Sequence, residues 1–230
     1  MERSLILSIE TSGAACSVAL SQGSSVVGII TLDDSNRQSS MLVPAIESLF
    51  GKCSLRMSDC DAVAVSSGPG SYTGLRVGVS TAKGLCYGLC KPLIAVPTLE
   101  ILLAEAMETE GCTDADYYVP MIDARRMEVY QAVYAADGSC VEDVSAKILD
   151  ASSYGDLLSR GRVVFIGTGA AKYRDAFPHA NGIYVPAAPK AAFMAGAAAA
   201  AFEAGRFEDV AYFEPFYLKE FVAIVKKNPL

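Results

Sequence analysis

A single histidine, no Cys-x-x-Cys pair, no basic run longer than two residues and no apolar stretch of bilayer length are what this chain of 230 residues has to offer in the features that usually announce chemistry. The lone His179 follows Pro178 in a stretch that reads as loop, and any Ser-His-Asp or Cys-His arrangement would have to be built on it. The seven cysteines, at positions 16, 53, 60, 86, 90, 112 and 140, are odd in number and have no histidine near them. They read as reduced core residues of a cytosolic protein. Cys86 and Cys90 would share a helical face, but two thiols without further ligands make a poor metal site, and none is expected. The basic pairs Arg125-Arg126 and Lys226-Lys227 sit in a chain of formal charge −7 and pI near 4.8. Gripping a phosphate backbone takes several clustered cations, so weak nucleic-acid binding by the chain alone follows. The apolar run at Leu5–Ile9 is broken by Glu10, and Phe193–Phe202 is ten mostly alanine residues, whereas a span needs about 20. Neither export nor a membrane span is expected, and the location reads as cytoplasmic.

What is there is a folding chain, 52% hydrophobic and 20% charged. Leu5–Ile9, Cys16–Leu20 and Val26–Leu32 read as an antiparallel meander of three strands with turn residues between them. Ser40–Phe50 places Leu42, Ala45, Ile46 and Leu49 on one helical face, with Pro44 predicting a kink or a late start. Asp61–Ser66 reads as a buried strand, Ser67–Ser71 as a glycine-rich loop, Tyr72–Cys90 as a second helix and Leu93–Val96 as a strand. A similar order follows. Tyr117–Ile122 and Met127–Tyr134 read as a hairpin around Asp123-Ala124-Arg125-Arg126, Val141–Leu149 as a strand, Tyr154–Arg160 as a helix, Val163–Ile166 as a strand before Gly167-Thr168-Gly169, and Ala191–Ala204 as an alanine-rich helix. Hairpins followed by alternating helices and strands, twice over, predict two mixed α/β subdomains. The polar stretch 107–116 suggests cutting at 1–108 and 109–230, the last residues packing back on the first unit.

Gly68-Pro69-Gly70-Ser71 opening a helix is a place where backbone N–H groups attract an anion. It lacks the Gly-Lys-(Ser/Thr) ending of a phosphate-binding P-loop, and a tight strand-to-helix turn is the favoured reading. In the helix that follows, Arg76, Ser80, Lys83 and Tyr87 form one narrow hydrophilic stripe, and the remaining circumference is apolar. Gly74 with Gly78, and Gly84 with Gly88, would admit another helix closely. The two helices are therefore expected to form a partner platform of Met41, Leu42, Ala45, Ile46, Leu49, Gly74, Leu75, Gly78, Ala82 and Leu85, the alternative being that they cover only each other.

Ile6–Ser12 with Cys16–Leu20, then Gly68-Pro69-Gly70-Ser71-Tyr72-Thr73-Gly74-Leu75-Arg76-Val77-Gly78, Ala82–Leu85, Ile122-Asp123-Ala124-Arg125-Arg126-Met127-Glu128-Val129-Tyr130 and Glu214-Pro215-Phe216-Tyr217-Leu218 together resemble the TsaB (YeaZ) family. The resemblance implies an actin/Hsp70/sugar-kinase-like (ASKHA) α/β fold of two ribonuclease-H-like subdomains. It implies a non-catalytic subunit that activates a catalytic paralogue, TsaD, in placing the threonylcarbamoyl group on the tRNA adenosine beside the anticodon. A small ATPase, TsaE, and tRNA would be met only through that complex, and self-association in the partner's absence is left open. Glu10, Thr11 and Ser12 fall at the fold's first phosphate loop and Gly167, Thr168 and Gly169 at its adenosine loop. A vestigial, weak nucleotide site is thus implied, with no cofactor required. The corresponding turn of the second half, Asp123-Ala124-Arg125-Arg126, has no glycine to cradle a phosphate. Glu10, where many relatives carry Asp, and Arg37-Gln38-Ser39-Ser40, where many carry a His, weaken an inherited metal site further. The catalytic relatives' His-x-x-x-His pair cannot be made. A small-molecule kinase of the same fold, or a peptidase, stands as the alternative, and neither residue set is complete.

Overall fold

The computed structural model describes residues 3–32 and 38–219, so Arg37 and the Lys226-Lys227 pair lie outside the described residues. Strands β1 (Leu5–Glu10), β2 (Cys16–Gln22) and β3 (Ser25–Leu32) form the meander, and β4 (Ala62–Ser66) and β5 (Leu93–Val96) extend it on the other side of β1. The sheet order is β3-β2-β1-β4-β5, antiparallel on the meander side and parallel from β1 to β5. A second sheet of β6 (Tyr117–Asp123), β7 (Glu128–Ala135), β8 (Cys140–Ile148), β9 (Val163–Ile166) and β10 (Gly182–Val185) has the order β10-β9-β6-β7-β8. Its β6-β7-β8 part is antiparallel and its β6-β9-β10 part parallel. Both sheets thus use one strand scheme.

Every residue of β1 is buried, and the period of two in a strand divides it cleanly. Leu5, Leu7 and Ile9 join the core under helices α1 (Gln38–Lys52) and α2 (Tyr72–Leu89), while Ile6 joins Ala19, Ala62 and Ala64 on the opposite face. That opposite face is lined with small side chains, which lets the alanine-rich α6 (Ala195–Glu203) lie close to it. The stretch expected as one helix from 191 starts as a 3-10 turn, Ala191–Met194, whose first N–H donates to Ser17 Oγ at 2.8 Å.

Two expectations need correction. Helix α1 starts at residue 38 and runs through Pro44. Proline inside a helix costs about 3 kcal/mol, but Leu42, Ile46 and Leu49 are each essentially buried, at about 1.5–3 kcal/mol apiece. The inner face decides. The cysteines are also not uniformly core: Cys16, Cys60, Cys86 and Cys112 are buried, Cys53 is half-buried, and Cys90 and Cys140 are exposed.

Helix α3 (Thr98–Glu108) joins the halves. Ile101 packs with the first sheet's core, whereas Leu99, Leu102, Leu103 and Ala106 pack with Tyr118, Ala132, Val164 and Ile166 of the second. The far face of the second sheet is covered by α4 (Gly155–Arg160) and α5 (Ala170–Ala176), where Tyr154, Phe165 and Tyr173 meet edge to face. After α6 the chain crosses to the first sheet again, where Glu208 bridges to Leu93.

Candidate functional site

The carboxyl end of β1 meets the glycine-rich loop and the start of α2. Glu10 is fully buried, and its Oε1 accepts from the backbone N–H of Ser12 at 2.5 Å and from Ser12 Oγ at 2.5 Å. Thr11 N donates to Ser66 Oγ at 3.3 Å. The donors of this turn, which would have to face a phosphate, are therefore engaged by the chain's own oxygens, one of them a carboxylate in the anion's place. Among the described residues Glu10 Oε2 and Thr11 Oγ1 have no hydrogen-bond partner. Burial pushes the Glu10 carboxyl above its usual range, and hydrogen bonds from Ser12 and Ser66 offset this only in part.

The glycines of the loop and helix serve contacts with the same turn. Gly68 has φ +109°, and a Cβ there would meet Phe216 O at 2.5 Å. One on Gly70 would meet Ser12 at 2.7 Å, one on Gly74 would fall on the Thr11 carbonyl oxygen, and one on Gly78 on Thr11 Oγ1. Ser71 caps α2, its Oγ accepting from Gly74 N at 3.2 Å, and its own N–H donates to Ser12 O at 2.8 Å. The tight-turn reading accounts for this loop.

The corresponding turn of the second half is closed in a different way. Thr168 Oγ1 accepts from Asp123 N at 2.9 Å, and Gly169 N donates to Met121 O at 3.1 Å. A Cβ on Gly167 would fall on Met121 O, and one on Gly169 would meet Val129 at 2.8 Å. Glu10, Thr11 and Ser12 are thus brought to one loop cluster and Gly167, Thr168 and Gly169 to another, each filled by its own neighbours. Among the described residues no group of three His, Cys, Asp or Glu side chains is placed to hold a metal.

The expected platform is corrected residue by residue. Leu42, Ala45, Ile46, Leu49, Gly74, Leu75, Gly78 and Ala82 are buried within the chain, and only Met41 and Leu85 are partly exposed. The physical reason is that α1 and α2 turn these residues onto the sheet, and Gly74 and Gly78 let α2 approach Thr11 rather than another helix. The second glycine pair differs: among the described residues a Cβ on Gly84 or Gly88 would meet nothing within 4 Å. With the exposed Thr73 and the half-buried Val77 and Thr81 they recur at three- and four-residue spacing along one side of α2, where Val77 also touches the core.

The hydrophilic stripe of α2 receives the chain's own carboxyl-terminal strap; a return of the last residues to the first unit was expected, its seat on this stripe was not. Lys83 Nζ donates to Ala211 O at 3.1 Å and Phe213 O at 3.0 Å. Arg76 lies 4.1 Å over the Tyr72 ring and donates to Tyr217 OH at 3.4 Å, and the Tyr72 and Tyr217 rings meet tilted with their centroids 4.8 Å apart. Beneath the strap a cleft of about 490 Å³ opens at the carboxyl ends of β4 and β5, where open α/β sheets commonly bind ligands. Its charged lining is Glu100, Glu208 and Glu214 against Arg206. That balance disfavours a phosphate.

Comparison with known proteins agrees with this geometry. A family model described as TsaD: tRNA N6-adenosine threonylcarbamoyltransferase matches residues 16–226. The tRNA threonylcarbamoyladenosine biosynthesis protein TsaB of Escherichia coli (strain K12) is 30% identical over 229 residues, 95% of this chain and 96% of that one. The chain belongs to the TsaB (YeaZ) family. The TsaB of Bacillus subtilis (strain 168) is 34% identical over 139 residues, an alignment that spans 58% of that protein. Among solved structures, YeaZ from Pseudomonas aeruginosa superposes with a TM-score of 0.77 at 26% identity, covering 94% of this chain and all of that one. The two sheets of like order and this likeness give the TsaB-family chain the ASKHA fold.

Proposed function

We propose that this chain acts in tRNA threonylcarbamoyladenosine biosynthesis as a non-catalytic subunit that holds a TsaD-type catalytic paralogue in its working form. The observation that carries the reading is the state of the first turn: Glu10 takes the donors that a phosphate would need, while among the described residues nothing covers α2 at Gly84 and Gly88. A subunit without a usable phosphate turn contributes through its surface. The partner surface is the outer stripe of Thr73, Val77, Thr81, Gly84 and Gly88, with Met41 and Leu85 at its edge, and small residues there let a partner helix come near. The buried members of the expected platform act indirectly by fixing the positions of α1 and α2. TsaE and tRNA are met through the assembly, and the same stripe is available for self-association when the paralogue is absent. No cofactor is assigned to the chain itself.

The test is a pull-down with a co-expressed TsaD-type protein. Gly84→Arg adds a long cation to the open stripe without touching the chain's own core and removes a helix glycine, so the variant should melt at or above the parent's temperature. A bulky group at a packed junction costs about 1–3 kcal/mol or more, roughly 5-fold to 150-fold in affinity. Normal folding with undiminished pull-down would remove this stripe from the interface.

A further inference from the structure

The turn between β6 and β7 carries Arg125 and Arg126 consecutively at φ +71° and +50°. The left-handed region is unfavourable for side chains other than glycine, asparagine and aspartate, so two arginines in succession are a conformational cost that the fold holds in place. The holding groups are visible. Asp123 Oδ1 accepts from Arg125 N at 2.6 Å and from Lys172 Nζ at 2.5 Å, and Thr168 fastens the Asp123 N–H. Glu128 accepts from Lys219 Nζ through both carboxylate oxygens at 2.6 Å. Both carboxylates flanking the turn are thereby taken by lysines, and among the described residues neither arginine has an ion-pair partner. Four cations against two carboxylates give this tip a local positive excess on a chain of formal charge −7.

We infer that Arg125 and Arg126 form an anchor for phosphate groups, those of the tRNA backbone in the assembled complex. This rests on the function proposed above, which brings a tRNA to the assembly. The guanidinium fork matches the oxygens of a phosphate in a way that a lysine does not, and both side chains are exposed. Two contacts give little affinity alone. On an otherwise acidic subunit they serve as an auxiliary grip that sets orientation while the rest of the assembly supplies the bulk of the binding.

The double variant Arg125→Asn/Arg126→Asn tests this, because asparagine accepts the left-handed conformation and keeps the turn while removing both charges. The assembly with the co-expressed TsaD-type partner is titrated with unmodified tRNA over a salt series, with and without ATP as competitor. The expected result is a plot of log affinity against log salt shallower by about 2 for the variant, with partner retention unchanged and melting at or above the parent's temperature. An unchanged slope would overturn the inference. So would lowered melting, which would make the arginines structural; loss of partner retention alone, which would make them a protein contact; or ATP displacing tRNA from the parent no differently than from the variant while the slopes agree. If the parent forms no assembly, the proposed function fails by itself, and the turn is then read on the chain alone with tRNA at low salt. Equal retention by parent and variant there would also overturn the anchor.

Discussion

Gly74→Ala is expected to lower the melting temperature of the isolated chain markedly, whereas the same change ten residues along the helix, Gly84→Ala, raises it. At Gly74 the new Cβ falls on the carbonyl oxygen of Thr11, a backbone atom at the end of a fully buried strand that has no free direction in which to move. Overpacking of this kind costs about 1–3 kcal/mol, occasionally more, and for a chain of this size each kcal/mol is about 2–4 °C. A loss of about 2–12 °C follows. At Gly84 the described residues offer nothing to strike, so only the intrinsic helix preference changes, a gain of about 1 kcal/mol. Opposite signs by differential scanning calorimetry are the expected outcome. Two losses of similar size would mean that Gly84 is as enclosed as Gly74.

Glu10→Gln should stabilise the chain at pH 8 and do little at pH 4. The carboxyl is fully buried, one of its oxygens has no partner among the described residues, and burial raises its pKa in the folded state above the unfolded value of 4.5. For an acid with that sign of shift the folded state binds the proton more tightly. Stability is full below the unfolded pKa and falls as pH rises through the folded one. Glutamine keeps an oxygen for the Ser12 donors and removes the charge. The gain above the folded pKa is about 1–3 kcal/mol, the range for relieving an unsatisfied buried polar group. Melting curves of both proteins from pH 4 to pH 8 decide it: a parent whose stability rises over that interval relative to the variant would show that the carboxylate is favourably held as an anion, the opposite of this account.

How far the sequence carried the fold depended on how each element is buried. β5 and β9 were read at their observed limits because short apolar runs between turn residues have few alternatives. α2 was read to within a residue, its carboxyl end fixed by Cys90 in a left-handed cap. α3 was not read at all. Thr98, Leu99, Ile101, Leu102, Leu103, Glu105 and Ala106 are buried on several sides because two sheets share the helix, so the one-sided stripe that marks a surface helix is missing. α5 and β10 are too short to show a clear period and had no assignment from the sequence.

The site was half legible for a related reason. The glycine string was conspicuous, and its tight-turn reading holds, but apolar residues on a helix do not say which side they face. Leu75 and Ala82 were placed on an outer platform and lie inside, while the open stripe is made of Thr81, Gly84 and Gly88, which carry little hydrophobic signal. The closure of the Glu10 turn by its own carboxylate could not be foreseen either. It depends on a side chain folding back over two residues, which strand periodicity does not encode.

The central claim, that the chain contributes to tRNA modification through a partner rather than by its own chemistry, is tested most directly by reconstitution. Threonylcarbamoyl transfer to tRNA is followed with the chain alone, with a TsaD-type paralogue alone, and with both, the threonylcarbamoyl donor and the small ATPase being supplied throughout. The account predicts no turnover from the chain alone and sustained turnover only when both proteins are present. Repeated turnover by this chain by itself, or undiminished activity when it is left out, would contradict it.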